Sequence, residues 1–407
     1  MKYLIYLFFL FCFFPYLDLF QLGTDTQPNA LLLAGVLFVA TNNKRVNTPL
    51  VLLWIVFFFS IFLYIRSNAS VFEYLKNTLN YLSPALIATT TYFVFNQFKL
   101  KIRFKVFMIM LSVYAFVSLV QLYLIPEFMI ALVNMGRGAM QGGRGVVSLT
   151  TEPAFYGTTC LFFMAFSLLN YSKQQNYYAL SLLTFQVVFL SRSATAIAIF
   201  FLAIGLFTLI QLIRFRLRYL LGSMVGLLLV STVLMSYWNK IESTRAGQLV
   251  QTFVENPLLV TKVDGSVGIR FTGTVAPFLA MRHHNFMPQG LGHYREFLTD
   301  FRRQGMYSSF LTIHRIEKKP RLSGCINMVL YQLGFIGLLF PFAIYLAFRG
   351  QLNQGAALFA FILLVVSMMT QIQMMNGMIG LIIGTAIYQG KEKRRQKVVD
   401  TVDLNHF

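Results

Sequence analysis

The feature that most constrains this chain is a succession of apolar stretches, most near the ~20 residues that carry a helix across a bilayer. They lie at 3–20, 28–42, 49–65, 74–96, 105–125, 153–170, 176–190, 194–212, 219–238, 325–348, 355–370 and 372–389. Only 12% of the 407 residues are charged and 57% are hydrophobic, against the ~25% charge of a soluble domain. No soluble core could hide that much apolar surface. The fold class expected is therefore all-α: a polytopic transmembrane helical bundle of about 12 spans (roughly 11 to 14), forming a single integral membrane domain over 1–407. The stretches at 28–42 and 176–190 are short, and the last two nearly run together, so a broken helix or a re-entrant element is open at either pair. Pro84 predicts a kink in the fourth stretch. Only Lys2 precedes the first stretch and no small-residue cleavage site follows it, which predicts a retained span rather than a signal peptide.

Basic residues set the orientation. Lys44 and Arg45, Lys99 to Lys105, Lys173, Arg214 to Arg218, Arg349 and the tail from Lys391 to Lys397 all fall in alternate connections. The rule places these in the cytoplasm, with both termini. Two long segments fall outside, a Gly/Arg-rich loop at 126–152 and a large loop at 239–320. The first holds Arg137 and Arg144 among glycines; the second holds many Lys and Arg, including Arg270, Arg282 and Arg295. A solvated basic surface accounts for such charge, since long loops escape the rule. An anionic ligand at the outer membrane boundary accounts for it better, because arginine binds phosphate oxygens with a planar fork and stays charged when desolvated.

Several chemistries find no support. No phosphate-binding loop, His-Glu-x-x-His zinc motif or Gly-x-Ser-x-Gly elbow occurs. Asp18, Glu73 and Glu127 sit near span ends, so no charge relay crosses the membrane as an ion-coupled transporter requires. Cys12, Cys160 and Cys325 have neither disulfide nor metal spacing. His283-His284 lacks a third ligand at usable spacing. No metal, other cofactor or nucleic acid is expected.

The segment from Arg144 through Thr151-Glu152-Pro153-Ala154-Phe155-Tyr156-Gly157 is the densest in polar function. Thr151 suits an N-cap and Pro153 an early helical position. Glu152 is then either a carboxylate stabilising a helix N-terminus or a reactive group.

Arginine in a glycine-rich loop followed by this Glu-Pro-small-Phe-Tyr-Gly run resembles the O-antigen polymerase and ligase family (Wzy-type polymerases and related ligases). Leu190-Ser191-Arg192-Ser193-Ala194-Thr195 resembles its central Ser/Arg/Thr turn, although here the arginine precedes the second serine. Asp264-Gly265-Ser266 with Arg270 resembles the element opening the large loop, and Pro288-Gln289-Gly290-Leu291-Gly292 the turn that follows. Asn327 through Leu333-Gly334-Phe335-Ile336-Gly337 resembles the span after the loop. The likeness covers roughly residues 130–350. Ligases of the group typically carry a histidine just before that asparagine. Ile326 stands there instead, which favours the polymerase.

The resemblance implies a fold like that of GT-C-type glycosyltransferases and a metal-independent, inverting glycosyl transfer on the periplasmic face. Donor and acceptor would be undecaprenyl-pyrophosphate-linked glycans, in the bacterial inner membrane, with membrane lipids and a chain-length-regulating membrane protein as partners. Cations would stabilise the lipid pyrophosphate leaving group: Arg144, Arg192 and Arg270 first, with Arg137, Arg282 and Arg295 behind them. A base would assist the attacking sugar hydroxyl: Glu152 first, then Asp264 or His293. Tyr156, Tyr294 and Tyr307 suit either stacking on sugars or packing. Two alternatives stay open, a ligase transferring glycan to a lipid A core and a flippase or exporter of lipid-linked sugars. The exporter should show internal repeats or basic residues lining its spans, and neither is visible. Residues 292–304 have the apolar spacing of an amphipathic helix lying on the membrane.

Overall fold

Short polar side chains and prolines start the helices. In the computed structural model of the protein, Ser70 accepts from the Glu73 amide at the head of one helix, and Ser193 from the Ala196 amide at the head of another. Ser172 and Gln175 form a reciprocal capping box, and prolines occupy first-turn positions in two further helices. The caps satisfy amides that have no partner within the helix, and the prolines remove such an amide altogether.

The structure describes residues 1–407 apart from 20–25, 42–45, 68–69, 101, 134–144, 215–220, scattered positions between 223 and 244, 257–258, 260–264, 292, 304–321, 323, 371 and 405–407. In order, the helices among the described residues begin with α1 (Lys2–Phe13), α2 (Asn29–Ala40), α3 (Thr48–Ile61), α4 (Val71–Phe98), α5 (Phe104–Tyr123), α6 (Pro153–Asn170), α7 (Lys173–Phe185) and α8 (Ala194–Ile213). Then come α9 (Arg245–Glu255), α10 (Gly265–His283), α11 (Tyr294–Arg303), α12 (Cys325–Leu333), α13 (Leu339–Arg349), α14 (Gly355–Thr370) and α15 (Gly377–Leu404). Among the described residues every regular element is helical, and the only strand-like feature is one isolated bridge between Leu17 and Val133.

Among the described residues four helical segments are long and apolar enough to cross a membrane: α5, α6, α8 and the run Cys325–Arg349 that joins α12 to α13. In α8 only 22% of the apolar window is buried. So large an exposed apolar face is stable against lipid, not water. Shorter apolar helices, α1, α2, α3 and α14, pack among them. The first stretch gives a shorter helix than hydropathy predicts, because α1 stops at Phe13 ahead of Pro15. The fourth stretch continues through Pro84 as one 28-residue helix. The final two stretches are separate helices, α14 and α15, on either side of 371–376. The expected span at 219–238 falls largely outside the described residues.

At the centre α15 lies directly on α4. A Cβ added at Gly380 would meet the Ile87 Cβ at 2.6 Å, and one at Gly384 the Ala88 carbonyl oxygen at 2.5 Å. Small residues one turn apart let two backbones touch, the usual basis of helix association in lipid. Around this pair, buried aromatics fill the core, with Phe13 packed on Phe107, Phe163 and Phe166.

The amphipathic segment forms a helix, α11, but its apolar face turns onto protein. Tyr294, Phe297 and Leu298 are buried against α10 and Tyr331, whereas Arg295, Glu296 and Asp300 are exposed. Tyr294 meets Tyr331 edge-on at 5.3 Å. An apolar face covered by aromatic neighbours needs no headgroup region to lie in.

Candidate functional site

The site is assembled at two helix N-termini. Pro153 occupies the first turn of α6 and Glu152, not Thr151, takes the N-cap position, in an extended conformation. The Glu152 side chain makes no capping bond. Its Oε2 lies 3.8 Å from a terminal nitrogen of Arg270 in α10. The second terminal nitrogen of Arg270 donates to Thr195 Oγ1 at 2.6 Å. Thr195 is in the first turn of α8, fixed by the Ser193 cap. One guanidinium therefore ties together three segments far apart in sequence.

The second arginine is set by backbone geometry. The six residues Gln186–Ser191 form a π-helical turn that continues α7, and Arg192 ends it in the left-handed region at φ 44°. A non-glycine residue there bears strain, a feature concentrated at functional sites. Its Nε donates to the Phe189 carbonyl at 3.1 Å, and its side chain is exposed. The end of the glycine-rich loop closes on this turn. Val146 donates its amide to the Leu190 carbonyl at 3.0 Å, and a Cβ at Gly145 would lie 2.0 Å from the Ser191 carbonyl oxygen. Only glycine permits that approach. At Gly157 an added Cβ would stand 2.4 Å from the Ala196 Cβ, so the heads of α6 and α8 are pressed together.

The Glu152–Arg270 pair stands beside the partial positive ends of α6 and α8, and Arg192 lies on the turn that leads into α8. The Arg270 and Glu152 side chains are 26% and 47% exposed, so both are open to a ligand. Such a set can hold phosphate oxygens and offers a carboxylate to take a proton from a hydroxyl.

A second junction brings two further motifs together. Gly290 donates its amide to the Gln332 carbonyl at 3.1 Å, and Phe335 donates to the Phe286 carbonyl at 2.8 Å. Gly334, at φ 58°, breaks the helix there, and an added Cβ would meet the Phe286 carbonyl oxygen at 2.3 Å. The head of α12 is pinned to the end of α14, with the Asn327 amide donating to the Met369 carbonyl and the Cys325 thiol to the Met368 carbonyl at 3.6 Å. Helix α10 links the two junctions, carrying Arg270 near one end and running into Phe286 at the other.

The remaining sequence candidates scatter. Arg282 is exposed twelve residues beyond Arg270 on α10, about 18 Å along the axis. Arg295 is exposed on α11. His293 faces Glu296, with 3.0 Å between Nδ1 and Oε2. Tyr156 is buried in the core, stacked near Tyr114 and donating its hydroxyl to Gln186 at 2.8 Å. Arg137, Arg144 and Asp264 lie outside the described residues. Burial, and next the neighbouring His283, holds His284 below the ordinary imidazole value. Among the described residues no group of three or more His, Cys, Asp or Glu side chains is placed to hold a metal ion. Thr195, which the sequence offers only as the end of the Ser191–Thr195 turn and without a role of its own, is the side chain that receives the Arg270 hydrogen bond. No protein-family profile matches the chain, and no curated protein resembles it significantly.

Proposed function

We propose that this chain polymerises lipid-linked oligosaccharide repeat units by metal-independent, inverting glycosyl transfer. It does so at the outer face of a bacterial inner membrane, as a bundle of about 12 spans with both termini in the cytoplasm. The observation that carries this reading is the Glu152–Arg270–Thr195 constellation, in which a carboxylate and a guanidinium stand open to solvent at two helix N-termini.

The donor is a glycan on undecaprenyl pyrophosphate, the acceptor the next lipid-linked unit. As the anomeric C–O bond breaks, negative charge gathers on the pyrophosphate oxygens. Arg270 and Arg192 stabilise it with the amide ends of α6 and α8. Glu152 accepts the proton of the attacking sugar hydroxyl, whose oxygen forms the new glycosidic bond with inversion. Thr195 holds the Arg270 fork in plane, so the cation is oriented before charge develops. Arg144 and Arg137, which precede Gly145 in the sequence, are assigned to the same clamp. Asp264, Arg282, His293 and Arg295 serve the glycan beyond the reacting bond.

The test is a reconstituted assay with purified protein in proteoliposomes, lipid-linked repeat units and a chelator. The wild type is expected to give a ladder of longer lipid-linked glycans; Glu152→Gln and Arg270→Ala are expected to lose it while retaining their folded thermal transition. A folded wild type that binds repeat units and yields no ladder would sink the proposal.

A further inference from the structure

At the opposite end of α8 from Thr195 lies a second basic cluster. Arg214, just past α8, donates to the Leu352 carbonyl at 2.9 Å. Lys393 of α15 reaches the same turn between α13 and α14, with Nζ 3.2 Å from Gln351 Oε1 and 2.5 Å from Gln354 Oε1. The guanidinium of Arg394 lies against Gly350, where an added Cβ would meet it at 3.5 Å. Arg349 closes α13 one residue earlier. Gln351, which is 1% exposed, anchors the turn by donating to the Ala386 carbonyl at 2.7 Å.

These cations are held by neutral acceptors. The nearest carboxylate in the tail, Glu392, pairs with Arg395 at 3.2 Å, and residues 345–354 contain no Asp or Glu. Lys391 repeats the pattern, donating to Tyr92 at 2.9 Å and to Asn96 at 3.2 Å. Burial holds the Lys393 ammonium below its ordinary value, as expected of a partly desolvated charge. Helix α8 has 20 residues, about 30 Å of helix and close to the hydrocarbon thickness of a bilayer. With Thr195 at one interface, Arg214 and the 350–354 turn stand at the other.

We infer that the seam between the 349–354 turn and residues 391–394 is a binding site for the phosphodiester headgroup of an anionic phospholipid. Basic pockets between helices at a headgroup interface take such lipids, and arginine pairs with phosphate oxygens in bidentate fashion. The occupant is a lipid rather than a free phosphate, because the seam sits at the depth of the headgroups and apolar helix faces border it. This inference does not rest on the proposed glycosyl transfer, and a failed polymerase assay leaves it standing.

The full chain, purified in a neutral detergent, would be titrated with dioctanoyl phosphatidylglycerol, dioctanoyl phosphatidylcholine and inorganic phosphate while its thermal transition is followed. The phosphatidylglycerol is expected to raise Tm at concentrations where the other two do nothing. Lys393→Gln with Arg214→Gln should weaken the effect at least five-fold, and Arg282→Gln, on α10, should leave it intact. A double variant that does not fold is replaced by Arg394→Gln alone, which should weaken it at least two-fold. Equal protection by phosphatidylcholine or by inorganic phosphate, or an unchanged response in the seam variants, would overturn the assignment.

Discussion

Arg270 divides its guanidinium between Thr195 at 2.6 Å and Glu152 at 3.8 Å, and the two charged side chains remain open to solvent. An ion pair that exposed adds at most about 1 kcal/mol to stability, so selection for folding alone explains it poorly. Glu152→Gln is accordingly expected to change stability by less than about 1 kcal/mol and to abolish glycan extension. Arg270→Lys keeps the charge and loses the fork, and should cost about 100-fold in turnover. Thermal unfolding beside the reconstituted assay separates the two effects; equal losses in both would assign the pair to folding. Arg192 allows a sharper separation. Its left-handed backbone, φ 44°, costs an L-residue roughly 1–2 kcal/mol. Arg192→Gly should therefore leave stability unchanged or raise it by up to about 1 kcal/mol, while lowering turnover ten-fold or more. Glu152 was legible in the sequence as a member of a dense polar run, and Arg270 as one of the basic residues of the 239–320 stretch, four positions after Ser266. That Glu152 occupies the N-cap without capping was not, because a Thr-Glu-Pro run fits a helix start in either register.

Helix packing depends on glycines that look alike in the sequence and differ in space. Gly384 of α15 sits where a Cβ would meet the Ala88 carbonyl oxygen at 2.5 Å, whereas nothing lies within 4 Å of a Cβ at Gly205 of α8. Gly384→Ala forces two central helices apart and should cost about 1–3 kcal/mol. Gly205→Ala should be neutral or gain roughly 0.5–1 kcal/mol, since alanine fixes a helical backbone at lower entropic cost. Thermal unfolding of the two variants in one lipid environment compares them directly, and equal shifts would contradict the close approach of α4 and α15. Hydropathy fixes which stretches are apolar, because lipid or core must cover them. It does not reveal which glycine faces a backbone, nor the π-helical turn at Gln186–Ser191 that aims Arg192. Those depend on the facing helix, and a single sequence carries no record of it. Pro84 teaches the same point. It predicts a kink, and α4 runs through it as one helix, packed along the buried face it shares with α15.

Across the whole molecule, the motifs that sequence reading placed far apart converge on the heads of α6 and α8 and on the break at Gly334, while the basic tail gathers at the other end of α8. A bundle built this way has two chemically distinct ends separated by about one bilayer. The residues that distinguish those ends should be accessible from opposite sides of the membrane. All three native cysteines are buried, so a single introduced thiol gives a clean report. Arg295 on α11 and Gln396 on α15 are both exposed. In intact spheroplasts a membrane-impermeant maleimide should label Arg295→Cys and spare Gln396→Cys; permeabilising the membrane should make both react. Labelling of Gln396→Cys before permeabilisation would place the basic seam outside and remove the orientation on which the proposed periplasmic chemistry depends. Labelling of neither until permeabilisation would turn the Glu152–Arg270 site toward the cytoplasm and remove the proposed outer-face transfer. The expected pattern is instead the one that the proposed outer-face transfer requires, with the open Glu152–Arg270 pair on one side of the membrane and the basic seam on the other.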